Sequence, residues 1–207
     1  MVKGLDLFKG ISPVITSMIL IGAVLVIGLS FMSYAILLTN IQRSEVVIRN
    51  ILAEEASKVI MYLENDRRGD SNIVAYVGIA KLINEPSAYY LAVFKANQYE
   101  LAAKKYTPID ANISIFNSST PGGYGFQRAV GTPVSSSNVY TLSTSGDYMP
   151  LGTELSLYVY EIPYTHTTLI KIECSSNVVG VDNYLVIMLL VRIDGDYYEL
   201  LQLSYRV

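Results

Sequence analysis

Residues 11–42 read ISPVITSMILIGAVLVIGLSFMSYAILLTNIQ and hold no charged side chain. Ser12 is a good N-cap and Pro13 suits the first helical position, so the run opens as a helix. As an α-helix it is about 48 Å long, whereas a bilayer core takes only about 20 residues. The excess fits an element that rests in a membrane and later packs in a bundle of helices. Gly22, Ala23, Gly28 and Ser33, with Ser30 and Ala35, would let neighbouring helices approach closely. They are the expected packing positions. A plain signal-anchor is the alternative that hydropathy alone leaves open.

C-terminal to this run the pattern turns amphipathic. Ile48, Leu52, Ala56, Val59 and Leu63 recur at three- and four-residue spacing, the mark of one apolar helical face. Glu45 with Arg49, and Glu54 with Lys58, stand four apart with the acid first. Arg67 and Arg68 would end the helix, with Gly69 as C-cap. The expectation is one assembly helix over residues 11–68, hydrophobic and then amphipathic; a bend near Thr39-Asn40 stays open.

Beyond Gly69 the composition changes. Fifteen of the 17 tyrosines lie there, among many Ser, Thr, Val and Ile. Period-two patterns appear: Leu155, Leu157 and Val159 should share one face, and Ile170, Ile172 and Cys174 should point to a core. Residues 183–193 (NYLVIMLLVRI) read as a central strand buried on both faces. Asp194-Gly195-Asp196 then turns the chain into 197–206. A further hairpin is expected between 88–95 and 98–104, across Ala96-Asn97. Residues 107–152, with Pro121-Gly122-Gly123 and Thr132-Pro133-Val134-Ser135-Ser136-Ser137, read as loop-rich. The fold class is therefore α+β: one long N-terminal helix followed by an all-β, sandwich-like head over 69–207. That length can bury its own core.

Toward the N-terminus, Lys9-Gly10 stands directly before the apolar run, at the end of the ten-residue stretch MVKGLDLFKG. An ordinary secretory signal has its small residues after the apolar core. Here they come before it, so a cut between Gly10 and Ile11 would release a leader, residues 1–10, and keep the helix. Lys3 and Lys9 favour a cytoplasmic leader and an external head. The junction Lys9-Gly10-Ile11-Ser12-Pro13-Val14-Ile15 resembles that of archaeal type IV pilins and archaellins, whose precursors carry class III signal peptides. Bacterial type IV pilins usually have glutamate at the fifth mature residue, the place of Ile15 here, which favours the archaeal branch. The resemblance covers about the first forty residues. It implies cleavage by a prepilin peptidase at the junction Lys9, Gly10 and Ile11, residence in the membrane before assembly, and assembly by an ATPase and a membrane platform. It implies further a helical homopolymer with helices in the core and heads outward, forming a cell-surface filament.

Composition bounds the rest. Net charge is −3 and no basic cluster stands beyond the leader, so nucleic acid is not an expected partner. Cys174 is the single cysteine, which excludes an intramolecular disulfide, and its strand position makes it a buried small hydrophobe. His166, the one histidine, reads as a surface residue, and Asp194 and Asp196 read as turn residues. No catalytic, cofactor or metal site is assigned, and the chain is not read as an enzyme. Asn112-Ile113-Ser114 and Asn117-Ser118-Ser119 are candidate N-glycosylation triplets in an exposed loop. The leading expectation is the major pilin of an adhesive surface filament. The alternatives are an archaellin, or a membrane-anchored extracellular binding or accessory protein carrying the same signal.

Overall fold

A computed structural model describes residues 13–69, 71–82, 88–117, 125–152, 155–163, 167–180 and 182–207. The chain divides into two units, residues 1–49 and 50–207. Helix α1 runs over Pro13–Ser57, about 68 Å of continuous helix. An all-β head of two sheets follows, as the alternating patterns beyond residue 69 require.

The helix is shorter than its periodicity predicts. Strand β1, Val59–Arg68, takes the place of its last turns and pairs antiparallel with β2, Asn72–Lys81. The apolar positions Val59 and Leu63 fit a helical stripe, but Val59, Met61 and Leu63 also fit an alternating strand. The run Val-Ile-Met-Tyr-Leu prefers the pleated surface, and a sheet neighbour decides between the two. Lys58 N–H donates to the Glu55 carbonyl at 3.0 Å, tightening the last turn. Gly69 is therefore no helix cap. It opens the β1–β2 turn, where its N–H donates to the Asn72 carbonyl at 2.9 Å.

Strand β3, Tyr89–Ala96, leads not into a hairpin but into a short helix, α2, Gln98–Ala102. Asn97 and Glu100 form a capping box. Asn97 Oδ1 accepts from the Tyr99 and Glu100 N–H groups, and Glu100 Oε2 accepts from Asn97 N–H at 2.8 Å. That reciprocal pair outweighs the strand tendency of residues 98–104. Strands β4 (Thr107–Pro108), β5 (Asn112–Asn117), β6 (Gly125–Arg128) and β7 (Gly131–Ser135) follow. Then come a 3-10 turn at Ser136–Asn138, β8 (Val139–Leu142) and β9 (Tyr148–Pro150). The segment read as loop is thus largely short strand. Pro133 sits in β7 and Pro150 in β9, both edge strands, the sheet position that tolerates proline. The chain ends with β10 (Ser156–Ile162), β11 (Thr167–Ser175), the single turn α3 (Ser176–Val179), β12 (Tyr184–Ile193) and β13 (Asp196–Arg206). Asp194 (φ 52°) and Gly195 (φ 100°) make the tight β12–β13 turn, the positive-φ pair a two-residue hairpin loop needs.

One sheet has the order β1-β2-β11-β5-β6 and the other β7-β10-β3-β12-β13-β8-β9, with β4 also on β3. Between them lie Ile73, Ala75, Val77 and Ile79 of β2 and Ile170, Ile172 and Cys174 of β11. Facing them are Leu91 and Val93 of β3 and Leu185, Ile187 and Leu189 of β12, all buried. The larger sheet is curled. Flat, five strand spacings would hold β7 and β8 about 24 Å apart, yet the three residues joining them reach about 14 Å at most. Curling encloses a second core of Ala92, Phe94, Val139, Leu157, Val159, Val186, Met188 and Leu190. Both faces of β12 are therefore buried, as its unbroken apolar run predicts.

Candidate assembly surface on the N-terminal helix

Every residue from Ile15 to Val47 is exposed. The exposed large side chains, among them Ile19, Leu20, Leu25, Val26, Phe31, Met32 and Leu37, surround the helix. At 100° per residue they leave no polar face. The segment is long and apolar enough to cross a membrane. Its hydroxyls turn inward to the helix backbone: Ser30 Oγ donates to the Val26 carbonyl at 2.7 Å, and Thr39 Oγ1 to that of Ala35 at 2.8 Å. Back-bonding of this kind satisfies these two hydroxyls without water.

A Cβ added at Gly22 or Gly28 would meet nothing within 4 Å. Nothing in the described chain therefore requires glycine there. The helical period places Gly22, Ala23 and Ser33, with Ser30, on one side of α1, and Gly28, with Ala35 and Thr39, on the opposite side. The positions singled out from sequence thus form two small-residue faces rather than one. Lys9, Gly10 and Ile11, the candidate cleavage residues, lie outside the described residues, as does His166.

In the head, the end of α1 is anchored by groups the periodicity did not reveal. Leu52 is 2% exposed and Val59 is 3%. Lys58 Nζ stands 2.8 Å from Glu54 Oε1 and 3.1 Å from Glu55 Oε1. The Glu54–Lys58 pair forms as predicted, but its lysine is buried. Tyr89 donates its hydroxyl to Glu55 Oε2 at 2.9 Å, and Lys81 Nζ lies 4.6 Å above the Tyr89 ring. Burial lowers the Lys81 pKa, and the Glu55 carboxylate acts against that fall. Removing one partner of such a network is costlier than its net contribution suggests. The sequence clue was Lys58 and Lys81 flanking strands with apolar neighbours.

Asn112 is exposed at the start of β5, opposite Glu173 of β11. Asn117 ends the same strand. Both candidate acceptors therefore lie on a strand rather than in the loop expected; the Asn117 side chain is outside the described residues. Cys174 is buried as expected, and burial pushes its thiol up to about 11.

No protein-family model, no curated protein and no solved structure matches the chain.

Proposed function

We propose that this chain is the major structural subunit of an archaeal type IV pilus-like surface filament, with α1 in the filament core and the head outward. The observation that carries the reading is the solvent exposure of an apolar helix around its whole circumference, while among the described residues burial begins only at Leu52. Water does not tolerate such a surface. Burying one large apolar side chain is worth about 1.5–3 kcal/mol, so the helix needs a bilayer or a bundle. A bilayer alone would need about 20 residues, and α1 continues well past that length. The two small-residue faces suit a helix packed between neighbours. The Lys9-Gly10 junction suits removal of the leader by a prepilin peptidase, and the filament suits adhesion at the cell surface.

The test is to express the full chain with a prepilin peptidase and a pilus assembly system, and to examine sheared surface material by electron microscopy and N-terminal mass spectrometry. Filaments whose subunits begin at Ile11 are expected. Surface filaments retaining Met1 would overturn the processing step. Absence of filaments, with the chain left as a membrane-anchored monomer, would overturn the function.

A further inference from the structure

The outer face of the five-stranded sheet is organised in rows. Residues directly opposite in antiparallel strands project to the same face. Tyr62 stands opposite Gly78, and Gly78 opposite Leu169. The same register sets Leu169 beside Phe116, and Phe116 stands opposite Phe126. The row crosses all five strands, about 19 Å. The Tyr62 ring lies so close over Gly78 that a Cβ there would stand 2.3 Å from it. Phe116 and Phe126 have ring centroids 5.5 Å apart, and Tyr76 stands 5.9 Å from Phe126. Tyr62, Phe116 and Phe126 keep 40%, 37% and 38% of their surface exposed, so the row is open to a ligand.

The neighbouring row is polar: Asn65, Tyr76, Lys171, Ser114 and Arg128. Lys171 Nζ is held by Glu173 at 2.6 Å. Arg128 enters no salt bridge among the described residues. It also lines a cleft of about 520 Å³ with Asp110, Tyr158, Tyr160 and the backbone of residues 129–131, a volume within the range of small-ligand sites. Tyr160 is committed, donating to the Ala111 carbonyl at 3.1 Å, while Tyr158 is 48% exposed. The polar row thus reaches the cleft at Arg128, two residues along β6 from Phe126 of the aromatic row.

This pairing has a definite chemistry. A sugar ring offers a C–H face that packs on aromatic rings and a rim of hydroxyls that needs polar partners at the same spacing. A uronate carboxylate matches a guanidinium fork bidentately. A lipid or a purely apolar peptide would use the aromatic row but not the polar row beside it. We propose that the cleft and these two rows bind an acidic polysaccharide, with a uronate carboxylate on Arg128 and sugar rings on the exposed cluster of Phe116, Phe126 and Tyr76. The inference deepens the adhesive reading and rests on it for its biological setting; the binding itself needs no filament.

The experiment titrates the full-length chain, in detergent, with a galacturonate oligosaccharide. The neutral galactose oligosaccharide and polyglutamate serve as controls. Saturable binding of the uronate sugar alone is expected. Loss of a charge-assisted pair should weaken it about 10- to 100-fold in Arg128→Gln, with partial recovery in Arg128→Lys. Phe126→Ala should also weaken it. Both side chains are exposed on an edge strand, and melting curves check that the variants fold; should Phe126→Ala not fold, the two Arg128 variants decide. Equal binding of the neutral sugar, equal competition by polyglutamate, no binding, or unchanged affinity in Arg128→Gln would each overturn the site. Binding by a chain that forms no filaments removes the filament reading and leaves this site standing. Filaments that bind no uronate remove this site alone.

Discussion

Cutting the chain before Arg43 should leave a folded, monomeric head, and cutting it before Ile60 should not. Among the described residues the first buried side chain is that of Leu52. Among the described residues the shorter cut removes only exposed positions, so its cost should stay within about 1 kcal/mol, which is about 2–4 °C in Tm for a domain of this size. The deeper cut removes Leu52, Lys58 and Val59, all buried, together with Glu55. Loss of a buried leucine costs about 2–5 kcal/mol. Tyr89 also loses the Glu55 carboxylate that accepts its hydroxyl, and Lys81 loses the charge that offsets its burial, each about 1–3 kcal/mol. The total is comparable with the whole stability of an ordinary domain, about 5–15 kcal/mol. Thermal melting by circular dichroism and static light scattering on both fragments make the comparison. If the fragment from Arg43 polymerises, head-to-head contacts hold the filament and the helix is not its core. If the fragment from Ile60 melts as well as the longer one, the anchoring network has been overvalued.

Gly28→Asp should block assembly while leaving the head's melting unchanged, because an unpaired carboxylate in an apolar bundle costs several kcal/mol; microscopy of sheared filaments reads the outcome, and normal filaments would refute it. If Asn112 or Asn117 carries a glycan, intact mass spectrometry of native filaments should exceed the bare polypeptide from Ile11 to Val207, and equality would dismiss both sites. Glu199 is buried, accepts from Leu142 N–H at 3.1 Å and lies 4.0 Å from Lys104. Burial raises its pKa more than Lys104 and the Leu142 N–H lower it. A carboxyl whose folded pKa is raised contributes stability that is full below the unfolded value, about 4.3, and is lost as pH rises through the folded value. The Tm difference between the parent chain and Glu199→Gln should therefore shift in the parent's favour on acidification from neutrality toward pH 4, and a pH-independent difference would refute the assignment.

The two halves of the fold were legible to different degrees, for a physical reason. The apolar run of α1 and the buried strand β12 each carry one unambiguous signal over ten or more residues. Ile170, Ile172 and Cys174 alternate cleanly, and all three are buried. The failures fall where two periods coincide. Val59 and Leu63 satisfy both a helix and a strand, and only the partner strand β2, brought by tertiary structure, separates them. At 98–104 the decisive evidence was local but short: Asn97 and Glu100, three apart, outweighed the apolar content of the segment. The outer-face aromatic row could not be read at all, because Tyr62, Leu169, Phe116 and Phe126 are scattered along the chain and only the sheet register makes them neighbours.

The same distinction explains how the chain divides its labour. Residues Ile15–Ile41 carry their information in composition: apolar on every side and small at two faces, with the Ser30 and Thr39 hydroxyls closed on the helix backbone. Such a helix is indifferent to the identity of any single neighbour and tolerates exchange of one large apolar residue for another, but not the introduction of a charge. The head is the reverse. Its packing depends on particular pairs, such as the Tyr62 ring over Gly78 on the outer sheet face and the buried Tyr160 ring against Gly131, where a Cβ would stand 2.9 Å from the ring. Gly131→Ala should accordingly destabilise the head by about 1–3 kcal/mol, the usual cost of overpacking, because Tyr160 is buried and tied to the Ala111 carbonyl and cannot swing aside. Gly28→Ala, with open space around it, should leave the head's melting untouched and weaken only the packing of helices against one another. Melting both variants beside an assembly assay separates the two roles; a head destabilised by Gly28→Ala would show that the helix and the head cores are not independent.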